Sequence, residues 1–395
     1  MTAEKQLSEL SDAVVSRQIH EDPYPIYERL MDEPGWVAPS GYAVFARYAD
    51  VMAILRNPAV FGQERLHYPN FHVTDPPEHT RLRSLVTRAF TPRAISQQHD
   101  QIQHWVVELV NEAVERGTID FTEDFARRLP ARVIAEMLGV PVSDAIHWRQ
   151  WMDDIHTLRG NIRFQAEGTA DQEAQDTAAA GAASMANYFS DLIAERKRSP
   201  RRDDLVAGLL DAREDDDRLT EEEVLYTLGL LLGAGLETTS YQLGNTMRVL
   251  VERPGTWRGL REDRSAIPLA VDEALRMEGT LQVEYRVAIA DVSVGEAKVE
   301  ADRKIIILNA AANRDPHVFP EPREFRLGRE NANQHLTFGW GIHRCLGAQL
   351  ARTELVTAFE ELIDRVDDIE LAGEPELHPY NRLRGQQHLP VRFLV

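Results

Sequence analysis

The sequence predicts a mainly α-helical protein with a small β component, and two observations support this. From about residue 76 to 265, apolar residues recur at helical spacing, with loops at 117–118 and 139–141. Before residue 60, short extended pieces such as 42–45 alternate with helical pieces, which predicts a small sheet near the N-terminus. Because no repeat or flexible linker divides the chain, we expect one domain over residues 1–395.

Composition narrows the classes of function. The chain has 44 Lys and Arg against 64 Asp and Glu, a formal net charge of −20, which disfavours nucleic-acid binding through a basic surface. The longest nearly apolar run, residues 228–236, is too short to span a membrane. The first 30 residues lack a secretory signal, and a single cysteine suits a reducing compartment. We therefore expect a soluble, cytoplasmic protein.

The best-defined helix is long and central. Thr220 and Glu223 form a capping-box pattern at its start, and the Arg-Pro-Gly sequence at 253–255 ends it. A helix of this length measures roughly 48 Å. Its middle, residues 228–234, is apolar nearly all round and predicts burial, whereas the polar run at 237–239 places acid and hydroxyl groups where packing should be dry.

The most informative segment is residues 338–347, which contains Cys345, the only cysteine of the chain. Glycines surround it, and the predicted helix that follows offers free N–H groups that favour a thiolate. One cysteine cannot form an internal disulfide or a cysteine-rich zinc or iron–sulfur site. The residues themselves leave three interpretations, namely a haem ligand, a nucleophile or a buried apolar side chain.

This segment resembles the haem loop of the haem-thiolate monooxygenases, the cytochrome P450 family, position for position. The resemblance extends from 22–24 to 389–391. It implies a single cytochrome P450 domain, with a long central helix over haem b and the cysteine loop on the opposite face. Cys345 would then be the axial ligand of the iron. The motif residues are Phe338, Gly339, Gly341, His343, Cys345 and Gly347.

The resemblance assigns further residues to the cofactor and to the chemistry. Glu237 and Thr238, on the long helix, would be an acid–alcohol pair that delivers protons during oxygen activation. Ala234, on the same helix, would lie beside the haem, as would Phe338 and Gly347. The propionates of the haem would be bound by His79, Arg83, Arg286 and His343.

Glu273 and Arg276 are three residues apart, so that their charges can lie on one face of a helix. On the residues alone this is a surface pair. The resemblance instead implies a buried ionic network, joined by Arg314, that supports the cysteine loop.

Substrate contacts are also implied by resemblance. They fall on Leu230, Ala234, Leu281, Gln282 and Val283, with further contacts in residues 66–71 and 381–383. These segments combine apolar and polar side chains, which indicates a functionalised natural product rather than a simple alkane. After Arg276 the chain lacks the prolines that relatives often carry.

The resemblance implies an O2-dependent monooxygenase that hydroxylates or epoxidises a small organic substrate, namely a natural product or secondary metabolite. No fused reductase is expected after Val395, so electrons would come from a separate ferredoxin and ferredoxin reductase. A basic patch of Arg344, Arg352, Arg88 and Arg93 would receive the ferredoxin.

Three alternative functions are open. A peroxygenase would use hydrogen peroxide directly, and a haem sensor or electron carrier would need no proton-delivery pair. A cysteine hydrolase would use Cys345 and His343, although the sequence offers no supporting oxyanion motif.

Overall fold

The computed structural model describes residues 22–33, 35–37, 41–63, 69–90, 92–162, 172–198, 202, 204–214, 217–378 and 382–395. The chain divides into two compact units. The first unit comprises Met1–Glu64, Val106–Arg128 and Thr238–Val395, and the second comprises Arg65–Trp105 and Leu129–Glu237.

Helices account for most of the described residues. They are α1 (Tyr24–Met31), α2 (Tyr48–Leu55), α3 (Glu78–Ala89), α4 (Pro92–Arg116), α5 (Arg128–Leu138), α6 (Ala145–Ile162), α7 (Gln172–Arg198), α8 (Leu205–Asp211), α9 (Glu221–Val251), α10 (Thr256–Glu262), α11 (Ile267–Met277), α12 (Asn309–Ala312) and α13 (Ala348–Arg365).

The strands are short. They are β1 (Trp36–Val37), β2 (Tyr42–Phe45), β3 (Phe61–Gly62), β4 (Thr118–Asp120), β5 (Arg213–Glu214), β6 (Asp217–Arg218), β7 (Val283–Ala288), β8 (Val292–Val294), β9 (Ala297–Val299), β10 (Lys304–Leu308), β11 (Asp368–Leu371), β12 (Glu376–Leu377), β13 (Gln386–His388) and β14 (Pro390–Leu394). The predicted mainly α fold with a small β component is confirmed.

A five-stranded sheet in the first unit has the order β1-β2-β10-β7-β3. Its central strand β10 runs parallel to β2 and antiparallel to β7. Ile305 and Ile307 face a core cluster that includes Phe45, while Ile306 and Leu308 face a second cluster around Tyr27. Because successive side chains of a strand alternate between faces, the apolar run of β10 fills cores on both sides of the sheet.

Helix α9 begins as predicted. The Thr220 hydroxyl accepts from the Glu223 N–H at 3.2 Å, and the Glu223 carboxylate accepts from the Thr220 N–H at 2.7 Å. These two bonds form the capping box and satisfy N–H groups that the helix cannot pair itself. The boundary between the two units falls inside this helix, between Glu237 and Thr238.

The expectation that the middle of α9 is buried is confirmed for Leu228 and Leu232, which are 0% and 1% exposed, but it is wrong for one face. Ala234 is exposed and Leu230 is half-buried. On either side of Ala234 the helix packs closely, since a Cβ on Gly233 would lie 2.8 Å from Met152 and a Cβ on Gly235 would lie 2.8 Å from Ile134, both of the same unit. The helix therefore packs tightly along its glycines and leaves the face with residues 230 and 234 accessible.

The second unit is built on the helix pair α6 and α7. Gly181 permits their close approach, because a Cβ there would lie 3.1 Å from the Trp151 carbonyl oxygen. Across the described ranges, none of the helices is long and apolar enough to cross a membrane.

Candidate active site

The loop that carries Cys345 is shaped by two glycines. Gly339 and Gly341 adopt φ angles of 65° and 73°, a region that favours glycine. A Cβ on Gly341 would lie 2.4 Å from the carbonyl oxygen of Leu55. The Cys345 N–H donates to the Phe338 carbonyl at 2.8 Å, and the Cys345 side chain is exposed. The backbone of Cys345 is thus held in place, and its thiol is accessible.

Gly347 is a glycine for a different reason. Its φ of −85° is open to any residue, and a Cβ there would meet no atom within 4 Å. Packing within the chain therefore does not require a glycine at position 347. A flat group lying close over the backbone would require one, because it leaves no room for a side chain. Helix α13 then begins at Ala348 without a side-chain cap, so its free N–H groups favour a negatively charged sulfur at Cys345. These residues fit a haem held by a thiolate.

His335 supports the cysteine loop from the interior. Its Nδ1 accepts from the Thr337 N–H at 3.2 Å, and its ring centroid lies 5.5 Å from that of Phe338. Burial lowers the pKa of His335 to about 4, so the neutral ring that can accept this bond persists at neutral pH. Phe338 and His343 are both half-buried in the loop.

Glu273 and Arg276 form a buried ion pair on α11. Arg276 Nε donates to one Glu273 oxygen at 2.7 Å, and Nη2 donates to the other at 2.8 Å. The third member is Arg329, whose Nε lies 2.8 and 3.0 Å from the same two oxygens. Arg329 also donates to carbonyl oxygens between Pro320 and Glu324. The network ties α11 to the segment that leads into the cysteine loop.

Arg314 does not join this network, contrary to the prediction. Its Nη2 donates to Glu278 Oε1 at 2.8 Å, and its guanidinium carbon lies 3.3 Å from the centroid of the Tyr24 ring. Arg314 follows α12 closely in sequence and reaches the end of α11 beyond Glu273. Arg329 lies 56 residues from Glu273, a separation for which helical spacing gives no signal.

Arg286 lies on β7 and is 5% exposed. Its Nη2 donates to Glu284 Oε2 at 3.0 Å, and Asn309 Nδ2 donates to Glu284 Oε1 at 2.7 Å. A guanidinium held in this way suits a carboxylate ligand such as a haem propionate. Sequence reasoning missed Glu284 and Asn309. The spacing of two residues between Glu284 and Arg286, which puts both on one face of a strand, was the available signal.

Thr238 is half-buried in α9, next to the half-buried Glu237. The Thr280 hydroxyl lies 3.2 Å from Gln242 Oε1 and 3.4 Å from the Thr238 carbonyl oxygen, and the Thr280 N–H donates to Gln242 Oε1 at 2.9 Å. Sequence reasoning missed Thr280 and Gln242, because their partners are distant in sequence.

In the second unit, His79 and Arg83 lie one turn apart on α3. His79 is 3% exposed, and the guanidinium carbon of Arg83 lies 5.1 Å from the centroid of the Phe71 ring. Arg81 pairs with Glu223 at 2.7 Å. This pair anchors α3 to the start of α9 and fixes the helix that presents His79 and Arg83.

Three of the predicted substrate contacts have accessible surface. Leu230 and Leu281 are half-buried, and Ala234 is exposed. Leu281 forms an isolated antiparallel bridge with Leu383. Of the further predicted segments, residues 66–68 and 381 lie outside the described residues.

Gln282 and Val283 are placed differently from the prediction. Val283 is 3% exposed and packs in the core cluster with Tyr24 and Tyr27. Gln282 is 2% exposed, and its Nε2 donates to the Gly279 carbonyl at 2.7 Å. Both side chains are buried in the interior, which corrects the prediction that they contact the substrate.

Comparison with known proteins matches residues 55–367 to the family model described as Cytochrome P450. Cytochrome P450 109 of Bacillus spizizenii is 36% identical over 378 residues, covering 94% of this chain and 92% of that protein. Nocardicin C N-oxygenase of Nocardia uniformis is 37% identical, with 81% and 78% coverage. Cyclomarin C epoxidase CymV of Salinispora arenicola is 34% identical, with 88% and 89% coverage.

Solved structures of other proteins have the same fold as this chain. CYP109Q5 from Chondromyces apiculatus superposes with a TM-score of 0.86 at 32% identity, covering 97% of this chain and 98% of that one. CYP109E1 from Bacillus megaterium, solved in complex with testosterone, gives a TM-score of 0.85 at 30% identity, covering 95% and 100%. With a fixed, accessible cysteine in a loop that fits haem, these matches lead to one conclusion: the chain belongs to the cytochrome P450 family, as a bacterial-type haem-thiolate monooxygenase.

Proposed function

We propose that Cys345 is the thiolate ligand of haem b in this monooxygenase. The observation that carries this proposal is the exposed side chain of the only cysteine, held on a loop whose Gly347 leaves room for a flat group. When bound, haem supplies the binding and reductive activation of dioxygen. Phe338 and Ala234 are assigned to the surroundings of the haem by their motifs.

Four residues are proposed to bind the haem propionates. Arg286 carries this proposal furthest, because it is a buried guanidinium whose geometry is fixed by Glu284. His343 is assigned by its place in the cysteine loop. His79 and Arg83 are assigned by the resemblance of their motif alone.

Glu237 and Thr238 are proposed to deliver protons. A carboxylate and a neighbouring hydroxyl can organise water so that protons reach the reacting oxygen. The half-buried positions of both side chains on α9 support this proposal, because they leave accessible surface for such water.

The proposed substrate is a small, functionalised natural product that is hydroxylated or epoxidised. Two relatives are named for such substrates, nocardicin C and cyclomarin C, and one structural neighbour was solved with testosterone. In this chain, Leu230, Ala234 and Leu281 are the proposed contacts that remain.

The proposed electron donor is a ferredoxin, served by its own reductase. The chain carries a net charge of −20, yet Arg344 is exposed next to Cys345. Near it lies a cavity of about 820 Å³. An acidic donor protein would be attracted to this cationic surface. The cavity is lined by Tyr48, Ala49, Met52, Ala53, Arg56, Asn333, Gln334, Trp340 and Arg344.

Other arginines of the predicted basic patch have local partners. Arg352 donates to Asp272 at 2.8 Å, and Arg88 lies 3.5 Å from Glu214 in the second unit. The side chain of Arg93 lies outside the described residues. Arg344 and Arg56 line the same cavity, and the patch proposed here is centred on them. The single thiol supports a cytoplasmic location.

The function is tested by titrating the ferric protein with steroids and with peptide and polyketide natural products. A ligand that shifts the iron from low to high spin is then incubated with NADH, a ferredoxin and a ferredoxin reductase. A product that gains one oxygen atom from O2 supports the proposal. Turnover with hydrogen peroxide alone, and none with NADH, would instead establish a peroxygenase.

A further inference from the structure

We infer that Glu284 is a positioning residue for the haem. Its carboxylate holds Arg286 in place and adds a negative charge close to the haem. This inference rests on the proposed binding of a haem propionate by Arg286. It concerns a carboxylate to which neither the motifs nor the comparisons assign a role.

The first support is the geometry of β7. Glu284 and Arg286 are two residues apart on one strand, so their side chains share a face of the five-stranded sheet. Glu284 Oε2 accepts from Arg286 Nη2 at 3.0 Å, and the two side chains are 12% and 6% exposed. Among the described residues, this is the ion pair that Arg286 forms. Arg286 Nη1 also donates to the Tyr285 carbonyl at 2.7 Å, so Glu284 and this carbonyl together set the orientation of the guanidinium.

Glu284 is itself fixed from two directions. Asn309, which is fully buried at the start of α12, donates Nδ2–H to Glu284 Oε1 at 2.7 Å. The same oxygen lies 3.2 Å from the position that a Cβ on Gly339 would occupy. The carboxylate thus lies between the Arg286 side chain and the backbone of the cysteine loop.

The charge has a consequence for the cofactor. A haem propionate bound to Arg286 would share one guanidinium with the Glu284 carboxylate, which leaves a net negative charge close to the haem. In a partly buried site such a charge is weakly screened. It opposes the addition of an electron to the iron, and it therefore lowers the reduction potential of the haem.

The test compares three variants of the haem-loaded protein. Glu284→Gln removes the charge but keeps an oxygen that can accept from Asn309, whereas Glu284→Asp keeps the charge. Glu300→Gln is the matched control, because it removes a carboxylate that is 78% exposed and paired with Arg303. The measurements are the ferric–ferrous midpoint potential, by mediated titration, and the rate of haem transfer to an apo-globin acceptor.

We expect Glu284→Gln to shift the midpoint potential to more positive values, while Glu284→Asp and Glu300→Gln stay near the wild-type value. The Glu284→Gln variant should also lose haem faster, because its single oxygen accepts from Asn309 and no longer holds the Arg286 guanidinium in place. A midpoint potential for Glu284→Gln equal to that of Glu300→Gln would overturn the inference. That failure is distinct from failure of the proposed function, which would appear as the absence of a thiolate-type haem spectrum in the wild-type protein.

Discussion

At the scale of single residues, the structure separates side chains that belong to the site from those that only support it. Cys345 is exposed on a fixed loop, whereas His335 is buried beneath that loop and stays neutral. The motif around Cys345 could be predicted because its glycines and cysteine are adjacent in sequence. The two-residue spacing was a signal for the pairing of Glu284 with Arg286, whereas the contacts of Glu284 with Asn309 and Gly339 arise only from the fold.

Replacing Thr238 by alanine tests the proposed proton delivery. We expect the Thr238→Ala variant to bind haem and substrate normally but to release much of its reducing power as hydrogen peroxide, because the hydroxyl that organises water is lost. The measurement is the ratio of product formed to NADH consumed. Thr239→Ala, at the neighbouring buried position, is the control and should keep the wild-type ratio. An unchanged ratio in Thr238→Ala would rule out this role.

Glu354 makes the stability of the protein depend on pH. It is 3% exposed on α13, and within the described residues its Oε2 has no hydrogen-bond partner. Burial raises the pKa of Glu354 to about 8 from its ordinary value of 4.5. The unfolded chain therefore releases a proton that the folded chain keeps, and stability falls as pH rises from about 4.5 to about 8.

The prediction is that Glu354→Gln stabilises the protein at pH 8 much more than at pH 5. The full linkage amounts to about 4 to 5 kcal/mol at pH 8. Urea unfolding of both proteins at the two pH values measures it. Glu360→Gln, at an exposed position of the same helix, should show no such difference. An equal effect of Glu354→Gln at both pH values would show that Glu354 titrates normally.

At the scale of elements, local signals predicted the helices and strands better than the contacts between them. The capping box at Thr220 and the apolar run of β10 depend on neighbouring residues, and both formed as the sequence indicates. The third arginine of the buried network was wrongly predicted, because Arg329 meets Glu273 only after the chain has passed through the sheet. The burial of α9 was overestimated, because the helix packs closely at its glycines on either side of Ala234 and leaves the face with Leu230 and Ala234 accessible.

The buried network offers a test at this scale. Removing the cation in Arg329→Met should reduce the free energy of unfolding by about 3 to 5 kcal/mol, because the Glu273 carboxylate loses a partner inside the protein. Arg323→Met, at an arginine that is 74% exposed, should cost less than about 1 kcal/mol. Denaturant unfolding measures both.

A second variant separates loss of charge pairing from loss of packing. Glu273→Gln in the Arg329→Met background should cost less than the sum of the two single changes, since the two residues interact. Additive costs would show that Arg329 and Glu273 are energetically independent, in spite of their 2.8 Å contact.

At the scale of the whole molecule, the net charge of the protein bears mainly on how the electron donor binds. The chain is strongly acidic, so its average field repels another acidic protein. The proposed docking surface, with Arg344 and Arg56 around the cavity near Trp340, offsets that field locally. The family, the fold class and the cofactor were predictable from the sequence because a few short motifs carry them, whereas a docking surface depends on residues from separate segments.

Reversing the charge at Arg344 tests this surface. We expect Arg344→Glu to raise the ferredoxin concentration needed for half-maximal reduction by roughly ten-fold at low salt. The difference should shrink at high salt, because screening weakens the attraction that is lost. Stopped-flow reduction of the haem at several salt concentrations measures the effect. Arg323→Glu is the matched control, and an equal effect of both variants would contradict the proposed surface.

The central claim, that Cys345 binds the haem iron as a thiolate, is tested most directly by the absorption spectrum of the reduced carbon monoxide complex. Wild-type protein should give the strongly red-shifted Soret band of a thiolate-ligated haem. Cys345→Ser, checked by circular dichroism for an intact fold, should lose that band. A histidine-type spectrum in the wild type, or a red-shifted band that survives in Cys345→Ser, would contradict the account.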